Sequence, residues 1–233
     1  MPDIRIISAT KQTRTDFSTH TWLGQSLARL ESMGIKIDRQ IEDSNNNNDG
    51  LSKIYNRRLE PFDDDIPTVL VHDDVSIQDV FIIEKLQLAL ETFQIVGIAG
   101  SKLARNNFPA AWWWSRDSHS GAVAHAERAK PRDYLNGKLI LYGSSPSEAS
   151  CLDGQFLAFR PSTFHKSELQ FDEDFKFHHY DLSFCIRAMR KGLRLGTWPI
   201  WLVHGSPGVN TSNPEARRAW ESSVEKFNEK YNT

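Results

Sequence analysis

A chain of 233 residues with 28 basic and 30 acidic side chains carries a formal net charge of −2. It is long enough to bury a proper core, its balance of charge argues against nucleic acid as the main partner, and no apolar run approaches the roughly 20 residues of a membrane span. Two cysteines, Cys151 and Cys185, give neither a disulfide framework nor metal-type spacing, and the start Met1-Pro2-Asp3 lacks the pattern of a secretion signal, so a cytoplasmic setting is expected.

Ile4 to Ala9 reads as a first strand, followed by a polar loop over residues 10–18. Trp22, Leu23, Leu27, Leu30 and Met33 then recur at helical spacing, with Gly34 as the stop. Ile35, Ile37 and Ile41 alternate with polar residues, as in a second strand. Residues 43–50, with four consecutive asparagines, form a loop, and Gly50 to Asn56 begins a short helix. Thr68 to Val71 reads as a short buried strand that ends abruptly in His72, Asp73 and Asp74. Val80, Ile83, Leu86, Leu90 and Phe93 predict a helix from Ser76 to Phe93, and Ile95 to Ile98 a further strand. This alternation predicts an α/β fold with a Rossmann-like, mostly parallel central sheet flanked by helices.

Residues 101–136 lose all clear periodicity and contain Trp112, Trp113 and Trp114. So long an irregular stretch is expected to act as a lid, with the tryptophans facing a bound molecule. Lys138 to Tyr142 and Leu152 to Phe159 read as strands, Pro161 to His165 as a turn or helix start, and Phe171 to Phe177 as an acidic, aromatic loop. His179 to Lys191 is a clear helix ended by Gly192. Leu193 to Gly196 and Trp198 to Val203 are short strands, and Pro214 to Tyr231 is a last helix. With no repeat and no clear linker, residues 1–233 are expected to form a single domain.

Two adjacent carboxylates stand where a strand of an open α/β sheet ends, which is where such sheets bind ligands. Burying them without a partner is costly. A divalent cation bridging them to a diphosphate removes that cost. The alternative is an acidic turn with one carboxylate capping the next helix. Three further residues invite the same double reading. Asp153-Gly154 is a turn or a site, Asp181 a helix-cap carboxylate or a site residue, and His204 a polar strand end or a site residue.

The motifs in their order resemble GT-A-fold, family 2-like glycosyltransferases, and among them the small bacterial, streptomycin-biosynthesis-like domains. Val71-His72-Asp73-Asp74-Val75 resembles their metal-binding acidic motif. Gly50 to Asn56 resembles the segment preceding it, and Asp153-Gly154-Gln155-Phe156 their acceptor-side strand. Phe171-Asp172-Glu173 with His178 to Leu182, and Trp198-Pro199-Ile200 with His204, resemble their closing blocks. The resemblance implies a donor half, residues 1–100, and an acceptor and catalytic half, residues 101–233. It implies donor contacts from Ser8, Ala9, Thr10, Lys11, Ser52, Asn56 and Asp73. Asp74 and His204 would hold Mn²⁺ or Mg²⁺, and Asp153, Gly154, Trp113 and Trp114 would face the acceptor. Asp181 would be the general base, which implies inversion at the anomeric carbon. The implied partners are a nucleotide-diphosphate sugar, a UDP-sugar foremost, and a glycan or glycolipid acceptor. Two departures stand out: Tyr180-Asp181 replaces Glu-Asp, and His72 replaces an aspartate. The competing readings are a metal-dependent nucleotidyltransferase or phosphohydrolase, and a non-catalytic sugar-nucleotide or glycan-binding module.

Overall fold

Ile4, Ile6 and Ile7 place β-branched side chains on both faces of the first strand, β1 (Ile4–Thr10), and all three are buried. A strand apolar on both faces belongs inside a sheet covered on two sides. The computed structural model places it there, and describes residues 1–46, 48–59, 62–102, 111–114, 118–126, 136–205 and 213–232. Helices α1 (Arg14–His20) and α2 (Trp22–Ser32) follow, then β2 (Ile37–Asp43), α3 (Leu51–Leu59), β3 (Thr68–Val71) and β4 (Val75–Ile77). Next come α4 (Ile82–Thr92), β5 (Ile95–Gly97), β6 (Ala99–Ser101), a 3₁₀ turn at Trp112–Trp114 and β7 (His119–His125). Then come β8 (Lys138–Gly143), β9 (Ser147–Ala149), β10 (Cys151–Leu152), β11 (Phe156–Phe159) and α5 (Pro161–Ser167). The chain closes with α6 (Tyr180–Arg190), β12 (Leu195–Thr197), β13 (Leu202–His204) and α7 (Pro214–Tyr231).

The larger sheet has the order β2-β1-β3-β11-β5-β12-β9. β2, β1, β3, β5 and β12 run one way, and β11 and β9 run against them. The expected mostly parallel α/β sheet is therefore present, with β3 fully buried near its centre. The smaller sheet has the order β10-β6-β7-β13-β4, with β8 added on β7. Its antiparallel pair β13 and β4 sets His204 opposite Val75. A residue some 130 positions downstream is thereby fixed beside the acidic turn. Phe171 stacks on Phe184 at 4.1 Å, which docks α6 on the core.

Several expectations change. Residues 14–20 are helical rather than loop, because Thr13 caps Asp16 N–H from a Thr-x-x-Asp pattern. The helix expected from Ser76 starts only at Ile82, since Val75, Ser76 and Ile77 pair with Leu202–His204 first. A sheet partner supplied from far along the chain overrides local periodicity there. The strand expected over Leu152–Phe159 is two strands of different sheets, broken at Asp153–Gln155. Within 101–136, His119–His125 is a strand; much of the expected lid (103–110, 115–117 and 127–135) lies outside the described residues.

Candidate functional site

The C-terminal ends of β1 and β3 open into a cleft of about 350 Å³. Ala9, Thr10 and Lys11 line one wall, and His72, Asp73 and Asp74 the floor. The acidic stretch is a turn, closed by Val75 N–H donating to His72 C=O at 3.2 Å. Its backbone is held from two sides. Leu23 N–H, in the first turn of α2, donates to Asp73 C=O at 3.2 Å, and Gly205 N–H donates to Asp74 C=O at 2.9 Å. Thr10 Oγ1 donates to Asp73 Oδ2 at 2.7 Å, tying that carboxylate to the wall of β1. With its backbone spoken for, the turn points its side chains into the cleft.

His72, Asp74 and His204 bring two imidazole nitrogens and one carboxylate oxygen to within 4.8 Å of one another. His204 Nε2 lies 3.4 Å from Asp74 Oδ1. An ion about 2.1 Å from each donor needs donor spacings of roughly 3–3.5 Å, so shifts of about 1 Å would close the set. Burial depresses the pKa of His72, which keeps the ring neutral and its nitrogen lone pair available, although Asp74 pulls the other way. The three residues fit a divalent metal. Two nitrogens in the set favour Mn²⁺ over Mg²⁺, which prefers all-oxygen shells.

A second cleft of about 220 Å³ adjoins the first, and both are lined by His72, Phe177 and His204. Its far wall carries Trp112, Trp113, Asp153, Gly154 and Asp181. Asp181 sits in the first turn of α6, which starts after His179 in a left-handed conformation (φ 62°). Ser223 holds that histidine at 2.7 Å. Asp181 accepts from Gly154 N–H and Leu182 N–H, each at 2.9 Å. Burial and the nearby Asp153 nonetheless push its carboxyl up to about 7. A carboxyl poised there can take a proton near neutral pH. Asp153 is oriented by Trp112 Nε1–H at 3.2 Å and Gln155 N–H at 3.0 Å.

Most of the residues singled out in the sequence converge on these clefts: Ala9, Thr10, Lys11, Asp73, Asp74 and His204 on the first, Asp153, Gly154, Trp113 and Asp181 on the second. Ser8, Ser52 and Asn56 line neither. Ser8 is fully buried. Ser52 donates to Phe175 C=O at 2.7 Å, and Asn56 brackets the backbone of Phe171, so both anchor the 171–175 loop. The side chain of Trp114 lies outside the described residues, while Trp113 is exposed and Trp112 is buried against Tyr142 and His119. The sequence reading left His72 without a role, marked Tyr180 only as a departure from the family pattern, and overlooked Tyr55. Tyr55 is wholly buried, lines the larger cleft, and its hydroxyl has no hydrogen-bond partner among the described residues. Its place in a helix beside other apolar residues reads as core, and nothing in the spacing marks it.

A mostly parallel sheet with an acidic turn at its C-terminal edge and a smaller sheet beside it is an architecture of the GT-A glycosyltransferase type. The chain belongs to the glycosyltransferase-like family, whose model matches residues 25–231, and is accordingly a glycosyltransferase. Similar solved structures include S. aureus TarS 1–349 (TM-score 0.48, 11% identity, 100% of this chain and 67% of that chain). S. aureus TarS itself gives a TM-score of 0.48 at 12% identity, over 100% of this chain and 40% of that one. The catalytic domain of Drosophila β1,4-galactosyltransferase 7 in complex with xylobiose gives 0.45 at 11%, over 84% and 65%. The chain thus spans between 40% and 67% of the structures it resembles. Comparison with curated proteins finds no match. No helix among the described residues is long and apolar enough to cross a membrane.

Proposed function

We propose that this enzyme moves a sugar from a nucleotide-diphosphate donor, a UDP-sugar foremost, to a hydroxyl of a glycan or glycolipid acceptor, with inversion and with a divalent cation. The observation that carries the reading is the meeting of two clefts at one cluster of two histidines and an aspartate, with a buried carboxyl of raised pKa on the far wall. The donor lies in the larger cleft over Ala9, Thr10 and Lys11, with Asp73 at the ribose or sugar. Ser8, Ser52 and Asn56 support its walls from behind. The acceptor lies in the smaller cleft against Trp113 and Gly154, with Asp153 orienting it. Residues 1–100 supply the donor side and residues 101–233 the acceptor side of a single domain, except that His204 reaches back to the donor side.

Asp181 accepts the proton of the acceptor hydroxyl, and that oxygen attacks the anomeric carbon from the face opposite the diphosphate. The bond to the diphosphate breaks and the nucleoside diphosphate leaves. A base in this role contributes typically about 10²- to 10⁴-fold. Mn²⁺ held by His72, Asp74 and His204 would supply Lewis-acid stabilisation of the leaving group. We place the reaction in the cytoplasm, in surface polysaccharide or glycoconjugate synthesis; the buried free thiols Cys151 and Cys185 suit a reducing setting.

The test is a panel of UDP-, GDP- and dTDP-sugars with Mn²⁺, assayed for free nucleoside diphosphate. Release by the wild type, lost in Asp74→Ala with the fold intact, supports the proposal. Pyrophosphate or nucleoside monophosphate as the product would assign a different reaction. Tight binding of UDP without turnover of any donor would reject transfer altogether.

A further inference from the structure

The hydroxyl of Tyr180 makes two hydrogen bonds of 2.8 Å, one to the carbonyl oxygen of Gly154 and one to Nε2 of His72. A carbonyl oxygen only accepts, so the single phenolic proton goes to Gly154. The phenolic oxygen must then accept from His72, which places a proton on Nε2. In a neutral imidazole this leaves Nδ1 bare. The ring also stands beside His204, with ring centroids 5.9 Å apart, and belongs to the cluster with Asp74. We propose that Tyr180 is a positioning residue that fixes the tautomer of His72, so that Nδ1 is the atom offered to Asp74 and His204, and that it couples this ligand to the acceptor-side base.

The coupling runs through one residue. Gly154 C=O accepts from Tyr180, while Gly154 N–H donates to Asp181 at 2.9 Å. Consecutive residues of α6 thus clamp the two ends of the same glycine. A Cβ at Gly154 would collide with the Tyr180 hydroxyl, so only glycine lets the phenol approach this closely. His72 N–H donates to the neighbouring Gln155 C=O at 3.2 Å, which holds the strand end against the same turn. Outer partners that set the tautomer of a ligating histidine are commonly worth about 10- to 100-fold in metal affinity. This inference takes its catalytic meaning from the metal-dependent reading above, but its structural content stands apart from it.

The experiment uses the whole chain labelled with ¹⁵N-histidine, first with metal removed by chelation. Long-range ¹H–¹⁵N correlation identifies each histidine tautomer, with His72→Gln assigning the signal. The expected result is His72 as the Nε2–H form in the wild type and a mixed or reversed form in Tyr180→Phe. Mn²⁺ titration followed by the electron paramagnetic resonance of the free ion should then show about 10- to 100-fold weaker binding in Tyr180→Phe. An Nδ1–H form of His72 in the wild type overturns the proposal, as does an unchanged tautomer or unchanged Mn²⁺ affinity in Tyr180→Phe. If the wild type binds no Mn²⁺, the metal-dependent reading fails, while the wild-type tautomer still decides the role of Tyr180. If Tyr180→Phe fails to fold, the wild-type tautomer decides it alone.

Discussion

Replacing Asp181 by asparagine is expected to stop transfer and, at alkaline pH, to make the protein more stable. The carboxyl titrates at about 7 in the folded chain, chiefly because it is buried and secondarily because Asp153 is near. In an unfolded chain an aspartate titrates near about 4. The folded state therefore holds the proton more tightly. The resulting stability is fully present below about pH 4 and is lost as pH rises through about 7. At roughly 1.4 kcal/mol per pKa unit, the loss at pH 8 is on the order of 4 kcal/mol. Asparagine does not titrate and avoids it. It forfeits something in return: the carboxylate accepts from both Gly154 and Leu182 N–H, and an amide accepts from one while facing the other with its NH₂ group. That mismatch costs about 1–3 kcal/mol. The net gain at pH 8 is about 2 kcal/mol, or roughly 4–8 °C in Tm for a chain of this size. At pH 5 the wild-type carboxyl is mostly protonated, so the gain vanishes or reverses. Thermal unfolding of both proteins at pH 5 and pH 8 checks this. A variant less stable by the same margin at both pH values would refute the burial argument, whatever its activity. Turnover should fall by about 10²- to 10⁴-fold, and near-normal turnover would remove Asp181 from the role of base.

Wild-type turnover should rise with pH through about 7 as Asp181 ionises; a rate flat from pH 5 to 8 would contradict this. Gly154→Ala forces a Cβ against the Tyr180 hydroxyl, and is expected to cost turnover at least about 10²-fold while the protein stays folded, as checked by circular dichroism and donor assay. Tyr55→Phe removes a buried hydroxyl that has no hydrogen-bond partner among the described residues, so thermal stability should hold or rise by about 1 kcal/mol. If that hydroxyl serves the donor, calorimetry will show weaker UDP binding in the same variant; unchanged binding assigns it no such part. Asp172 resists burial through bonds from Lys230 at 3.0 Å and Tyr231 at 2.6 Å, which hold its pKa below the usual range. Its contribution is present above about pH 4 and lost as pH falls through its lowered folded value, so the stability gap between wild type and Asp172→Asn should close in acid. A gap that does not change with pH would speak against the ion pair.

The sequence was most informative where one element's own residues decided the outcome. Thr68–Val71 is rich in β-branched residues and buried throughout, and both its ends match the structure. Pro214 at the first helical position and Asn213 as its cap mark the start of α7 just as directly. Legibility failed where a distant partner decided. Val75–Ile77 has nothing strand-like beyond three residues and owes its conformation to Leu202–His204. Leu152–Phe159 looks like one strand because its apolar run is broken only by Asp153–Gln155, yet Leu152 pairs with Gly100 in one sheet and Phe156–Phe159 with β3 and β5 in the other. At the site, charged residues at strand and helix ends were visible because chemistry and position coincide there. Tyr180 was not, because a tyrosine at a helix start reads as core until the geometry shows its hydroxyl between His72 and Gly154.

The clamp on Gly154 has a consequence for anyone who would re-engineer the smaller cleft. The orienting phenol and the neighbouring carboxyl ride on the same helical turn, so they move as one rigid body with α6. Sliding that helix would displace both the Tyr180 hydroxyl from His72 and the Asp181 carboxyl from Gly154 at once. Positions 72, 154, 180 and 181 are therefore one hydrogen-bonded set, and a change at any of them reaches the others.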